Sequence, residues 1–369
     1  MNYTAKGPGD LKKEVLDQEQ CLSCGLCVGM CPYFKAIRDR AVMIHSCGLK
    51  EGRCYRVCPR TGVDAREMDK TVFGGERNDQ ALGFSRGVYF ARALNPEISR
   101  AGQYGGVVTA LTAFALDQGI ISGAVLAGGN PASPETALAK TAAGVVSCAG
   151  SKYTAVPTLS SLNRAARDGM ENLGVVGRPC QITAVRKGQQ ADLENPGAVP
   201  FAGSAGLLVG LFCFWSLNPE FYGYLREKSG NNELVKVDIP IEGVTLTTTV
   251  GTATRPVDEI RPYIREACLS CIDCTSEWAD LSVGSTEFDP AWNTLVVRSG
   301  AGQSLVSEAV EKGVIEIKPY PEERLPILRQ AALNKKMRVL EGPEGPGPGY
   351  ITVGDYMGEI RKQWEVLQK

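Results

Sequence analysis

Leu173-Gly-Val-Val-Gly177-Arg178-Pro179-Cys180-Gln181 is the stretch from which the fold can be read. A continuous apolar run ends in glycine, and a cysteine follows at once. Such a run reads as a strand buried on both faces, as in a parallel sheet covered by helices. Leu207-Leu-Val-Gly-Leu-Phe212-Cys213 repeats the arrangement, apolar run first and cysteine just past it. Outward from these two runs, strands and helices alternate. Val88–Phe90 and Ala124–Leu126 read as strands, and Gly105–Leu116 and Thr158–Arg167 as helices. Leu234–Ile239 and Val244–Thr249 alternate like antiparallel strands, and Thr294–Val297 and Val314–Ile317 add two more. The expected fold class is therefore α/β with α+β character.

The chain has 369 residues, 43% hydrophobic and 22% charged, enough for a large core. Its net charge of −1 argues against nucleic acid as the main partner, since phosphate binding needs a basic surplus. The longest apolar run, Ala205–Trp215, is too short to span a bilayer at about 20 residues, so no transmembrane segment is expected. The first residues lack a signal-peptide pattern, which predicts a soluble, cytoplasmic protein. Composition divides the chain into a cysteine-rich part at 1–80, an α/β part at 81–340, and a Gly/Pro linker with a terminal helix at 341–369. Residues 1–20 read as a loosely ordered arm and 67–85 as a polar linker. The dense cysteine region between them has too few apolar residues to order itself without metal. Gly342–Gly349 reads as a second linker, and beyond it Tyr356, Ile360, Trp364 and Leu367 share a helical face, docking on a partner or on the body.

There are thirteen cysteines and one histidine. In a reduced cytosol, clustered cysteines read as metal ligands rather than disulfides. Cys21-Leu-Ser-Cys24-Gly-Leu-Cys27-Val-Gly-Met-Cys31-Pro32 is the C-x2-C-x2-C-x3-C-P run of bacterial ferredoxins, a signature of iron–sulfur clusters. Zinc knuckles seldom end in that C-x3-C-P. In two-cluster ferredoxins the last cysteine of each run serves the other cluster. Cys58 should thus join Cys21, Cys24 and Cys27 on one cluster, leaving Cys31, Cys47 and Cys54 for a second. The fourth ligand of that second cluster would be His45, a carboxylate such as Glu51, or nothing, the last giving a three-iron cluster.

Cys180 and Cys213 stand at the carboxyl ends of strands, where ligands of α/β sheets gather. Cys268-Leu-Ser-Cys271 supplies a C-x2-C pair that needs two more ligands, so these four form a further candidate group. Cys274 is a rival third ligand from the same loop, otherwise expected beside the group or at the surface, and Cys148 reads as a small buried hydrophobe. Gly105-Gly106 opens a helix whose free N–H groups suit a phosphate, or merely make a tight turn. Gly150-Ser151-Lys152-Tyr153 is a polar loop with a cation.

Gly105–Leu111, Gly150–Tyr153, Gly177–Gln181, Gly210–Cys213 and Cys268–Gly284 stand in an order that resembles the beta subunits of coenzyme F420-reducing hydrogenase, F420-dependent formate dehydrogenase and F420 dehydrogenase input subunits. The resemblance covers roughly residues 85–320, and the cysteine-rich N-terminus looks like the ferredoxin part fused to the dehydrogenase subunits. It implies an oxidoreductase that exchanges a hydride between coenzyme F420 and bound FAD. It also implies a proximal [4Fe-4S] cluster on Cys180, Cys213, Cys268 and Cys271, with two to three clusters in all. FAD would be held by Gly105, Gly106, Val107, Thr109, Ser151, Lys152 and Tyr153. Electrons would run on to a partner redox subunit: a hydrogenase, a formate dehydrogenase, a heterodisulfide reductase-type assembly or a membrane dehydrogenase complex, to which the chain would be peripheral. The sequence departs from the family pattern at Gln103-Tyr104, at Cys274, and in the missing cysteine of the second ferredoxin run. The alternative is a flavin and iron–sulfur adaptor of such complexes that does not use F420.

Overall fold

The structure is a computed structural model that describes residues 6–342 and 354–368, apart from Ala198 and Ile241. Its strands are β1 (Phe34–Ile37), β2 (Arg40–Met43), β3 (Gly87–Ala93), β4 (Ala124–Asn130), β5 (Ser133–Ala139), β6 (Leu173–Gly177), β7 (Ala205–Leu211), β8 (Leu234–Asp238), β9 (Val244–Thr248), β10 (Gly251–Arg255), β11 (Leu281–Ser285), β12 (Asn293–Val297) and β13 (Ile315–Pro319). Eight of them form one mixed sheet in the order β13-β3-β12-β11-β7-β6-β4-β5. The four central strands β11, β7, β6 and β4 run parallel, and antiparallel strands close both sides. The expected α/β class holds, and the two apolar runs β6 and β7 sit at its centre.

Both faces of the sheet are covered. The helices Val107–Asp117 and Gly300–Glu311 pack on one face through Leu111, Leu305 and Val306. The other face buries Val175 and Leu208 against Leu159–Arg167 and Pro179–Glu194. The small antiparallel sheet of β8, β9 and β10 packs on the helix Phe221–Lys228 over its own core. No helix among the described residues is long and apolar enough to cross a membrane.

The N-terminal part differs from the sequence reading. Residues 8–16 are helical (Pro8–Leu11, then Lys12–Leu16), and Leu11 and Val15 are each 2% exposed, so this segment is no loose arm. The cysteine region is ordered by packing as well, because Leu26 and Phe34 are buried in the same core as Leu159 and Ile182 of the body. Gly25 is at φ +90°, and a Cβ there would collide with the Pro157 carbonyl, so glycine lets the two backbones touch. Residues 67–85 are not a linker. Asp64 caps the helix Ala65–Phe73 by accepting from the N–H groups of Arg66 and Glu67, and Arg77, Asp79, Ala81 and Leu82 are buried beyond it. One continuous core therefore crosses residue 80.

The linker expected at Gly342–Gly349 falls, beyond Gly342, outside the described residues. The helix Gly354–Leu367 lies on the body. Tyr356 and Ile360 are buried, and Trp364 and Leu367 pack against the same core, which settles the choice between partner and body for this face. Its anchor is a buried ionic cluster. Arg77 donates to Asp69 (2.6 Å), Glu277 (2.6 Å) and the Tyr356 hydroxyl (2.6 Å), and Lys336 donates to Glu277 and to the same hydroxyl (3.0 Å).

Candidate functional site

A cavity of about 320 Å³ opens at the carboxyl ends of β4, β6, β7 and β11. Of the residues expected at FAD, Gly106, Thr109, Ser151, Lys152 and Tyr153 line it; Gly105 and Val107 do not. Gly105 instead packs on the β3 backbone, and the Val107 N–H is taken by the Asn293 carboxamide (3.2 Å). Gly106, at φ +70°, ends the turn and starts the helix Val107–Asp117. The first-turn N–H groups of Val108 and Thr109, both in the cavity wall, meet no acceptor among the described residues. Free N–H groups at a helix N-terminus suit an anion.

Lys152 reaches the same wall. Its ammonium donates to the carbonyls of Cys148 (2.8 Å), Ala149 (2.7 Å) and Gly150 (3.0 Å), and burial lowers its pKa. A cation held, among the described residues, by neutral carbonyls suits an anionic ligand. The Tyr153 hydroxyl accepts from Gln103 Nε2 (3.0 Å) and the Ile239 N–H (3.1 Å), and burial raises its pKa. Cys148, expected as a small buried hydrophobe, lies in the cavity wall.

Beside the cavity stand Cys180, near the start of the helix Pro179–Glu194, and Cys213, just beyond β7. Burial pushes the Cys213 thiol up to about 12; Lys335 and Arg178 oppose this, and Cys268 and Cys180 add to it. Burial also raises Cys180, opposed by Arg178 and reinforced by Cys271 and Cys268. The Ser216 N–H donates to Cys268 Sγ (3.4 Å). The four cysteines proposed as one group are thus brought together from three separate segments. Cys274 is buried at 3% exposure, which rules out the surface position; its carbonyl accepts the Cys213 N–H (2.8 Å), and its charged neighbours include Lys335, Asp273 and Lys336.

The N-terminal cysteines lie within electrostatic reach of one another. Burial raises Cys27 and Cys24 well above their usual value, and Cys21 and Cys58 add to both shifts. Cys54 is pushed up to about 11 by burial, with Cys31 and Cys47 adding. His45 is exposed and stands edge-on to the Tyr33 ring, and Glu51 is exposed. The groups are also chained: Cys24 is within electrostatic reach of Cys180, and Cys27 of Cys54. No three Cys, His, Asp or Glu side chains among the described residues converge as the ligands of one metal ion would.

Sequence reasoning missed Arg178 as a site residue. Its guanidinium lines the cavity and donates to Ser216 Oγ. Burial works against its charge, yet Cys180, Cys213, Cys268 and Cys24 together hold its pKa above the usual value. The signal was there, one residue past a strand end and two before a cysteine. Asn293 was missed too, and no local pattern marks it, because it reaches the helix N-terminus from a distant strand.

A parallel sheet core with a cavity and buried thiols at its carboxyl edge is the build of an α/β redox protein. Comparison with known proteins makes this particular. Residues 88–163 match the family described as the N-terminal part of the coenzyme F420 hydrogenase/dehydrogenase beta subunit, and residues 170–323 match the one described as its C terminus. The chain belongs to this family of oxidoreductase subunits. It is 37% identical over 264 residues to coenzyme F420 hydrogenase subunit beta of Methanothermobacter thermautotrophicus, covering 69% of this chain and 92% of that one. It is 29% identical over 348 residues to the coenzyme F420-dependent sulfite reductase of Methanocaldococcus jannaschii, covering 89% of this chain and 51% of that one. A chain in the F420-reducing [NiFe] hydrogenase complex of Methanosarcina barkeri superposes with a TM-score of 0.65 at 32% identity, covering 70% of this chain and 91% of that one. The family matches span the cavity and Cys180–Cys274; the cysteines from Cys21 to Cys58 lie outside them.

Proposed function

We propose that this chain is an iron–sulfur flavoprotein subunit that exchanges a hydride between coenzyme F420 and FAD and passes single electrons to or from a partner redox subunit. The observation that carries this reading is the chain of thiol groups leading away from the cavity. Cys213 stands at its wall, Cys180 lies within electrostatic reach of Cys213, Cys24 within reach of Cys180, and Cys54 within reach of Cys27. FAD bound in the cavity would supply both hydride exchange and one-electron transfer, which clusters alone do not combine.

The residues fit such a group. Lys152 and the free N–H groups of Val108 and Thr109 offer positive ends to its phosphates. Phe212, Phe214 and Trp215 give the wall apolar surface and limit water. Cys180, Cys213, Cys268 and Cys271 would hold the nearest [4Fe-4S] cluster, Cys21, Cys24, Cys27 and Cys58 a second, and Cys31, Cys47 and Cys54 a third. Buried thiols with raised pKa values gain from a metal, because thiolate ligation offsets the desolvation of the charge. The reading places the protein in the cytoplasm with a hydrogenase, a formate dehydrogenase, a heterodisulfide reductase-type partner or a membrane dehydrogenase complex.

The test uses the full chain reconstituted with iron, sulfide and FAD. Reduced coenzyme F420 is expected to bleach the flavin, whereas NADH and NADPH are not. Bleaching by a partner's electrons but not by reduced F420 would instead make the chain an adaptor outside F420 chemistry.

A further inference from the structure

Two lysines beside the thiol groups have no part in the reading above. Lys335, on the helix Leu325–Leu340, is 3% exposed, and its ammonium donates to the carbonyls of Cys213 (2.5 Å) and Asp273 (2.7 Å). Lys187, on the helix Pro179–Glu194, donates to the Cys58 carbonyl (2.8 Å), Thr61 Oγ1 (2.9 Å) and the Gly62 carbonyl (2.6 Å). The arrangement is the same twice. One ammonium is bonded to the peptide carbonyl of one cysteine in each four-thiol set.

Neither lysine is in an ion pair with a carboxylate among the described residues, whereas the adjacent Lys336 pairs with Glu277. The Asp273 carboxylate lies within electrostatic reach of Lys335 but accepts the Glu277 N–H (3.1 Å). Burying a cation is costly unless an anion compensates it. Lys335 instead lies within electrostatic reach of the thiols Cys271, Cys213 and Cys274. Lys187 is held only through the Cys58 and Gly62 carbonyls and the Thr61 hydroxyl among the described residues, with the Cys58 thiol its nearest anionic group. A cluster held by four thiolates supplies the missing anion, and its negative charge grows by one on reduction. A fixed cation beside it therefore favours the reduced form, since net charge and local bonding set cluster potentials.

We propose that Lys335 and Lys187 are potential-setting residues, Lys335 raising the reduction potential of the centre on Cys180, Cys213, Cys268 and Cys271, and Lys187 that of the centre on Cys21, Cys24, Cys27 and Cys58. The inference rests on the cluster reading proposed above. In the step affected, one electron enters a centre from the cavity side and one leaves towards the next. No bond forms or breaks, and each lysine keeps its proton. The set of Cys31, Cys47 and Cys54 is the internal control, because its basic neighbours Lys50 and Arg53 are exposed to solvent.

The experiment is an EPR-monitored redox titration of the full reconstituted chain, the unsubstituted protein against Lys335→Gln, Lys187→Gln and the charge-keeping Lys335→Arg and Lys187→Arg. Each glutamine variant is expected to move one centre to more negative potential. The shift should amount to at least a tenfold change in its reduced-to-oxidised ratio, about 59 mV for a one-electron couple. The arginine variants should restore that centre, and the other centres should stay in place. Full iron content with unmoved potentials in both glutamine variants would overturn the proposal. Loss of iron in the glutamine and arginine variants alike would also overturn it, by making the lysines structural supports. Absence of any cluster signal from the unsubstituted protein would overturn the cluster reading and this proposal with it.

Discussion

Cys213 and Cys274 share a backbone hydrogen bond, yet their thiols face different company. Cys213 is surrounded by Arg178, Cys180 and Cys268 as well as Lys335, whereas Cys274 faces Asp273, Cys271 and the two lysines Lys335 and Lys336. Cys213→Ser is therefore expected to lose one cluster's iron, and Cys274→Ser to keep it, as read by iron and sulfide analysis of the purified variants. Spacing cannot make this distinction, because Cys268, Cys271 and Cys274 repeat at equal intervals, and only the sheet decides which thiols turn towards the cavity. Lys152 offers a second test at this scale. A charge-assisted hydrogen bond is worth about 1.5–3 kcal/mol, so Lys152→Met should weaken FAD retention by roughly tenfold or more. Equilibrium dialysis of the flavin checks it, and unchanged affinity would remove Lys152 from the binding site.

Among the elements, those specified by their own periodicity were the ones legible in advance. β6 and β7 announced themselves as unbroken apolar runs, and the terminal helix as one stripe of Tyr356, Ile360, Trp364 and Leu367. The helix Ala65–Phe73 and the ordered turns after it were illegible for a physical reason. Their segment is polar because it builds a buried ionic cluster, with Asp69 and Arg77 looking outward-facing until Glu277, Trp278 and Tyr356 arrive from far along the chain. Two outcomes follow. Ile360 is fully buried, so Ile360→Ala should cost about 2–5 kcal/mol and lower the thermal midpoint while flavin and iron contents stay unchanged. Arg77→Met should cost about 3–5 kcal/mol, since it strands Asp69 as an uncompensated buried charge while Glu277 keeps Lys336, and chemical denaturation will measure the difference.

For the molecule as a whole, packing does not stop at the division read from composition at residue 80. The cysteine-rich segment is pinned to the body by Arg265 to Asp39 (2.8 Å), by Asn163 to the carbonyls of Leu26 (2.6 Å) and Val28 (2.7 Å), and by the core that both share. Limited proteolysis should therefore fail to release a stable fragment near residue 80, a result readable by mass spectrometry. A clean cut there would show that the shared core is weak. The same pins bear on kinetics. Where two redox modules swing on a tether, each transfer waits for them to meet, and a thick solvent slows it. Here the spacing between Cys24 and Cys180 is fixed by packing, so internal electron transfer should run at one rate in plain buffer and in glycerol, with only encounters with outside molecules feeling the drag.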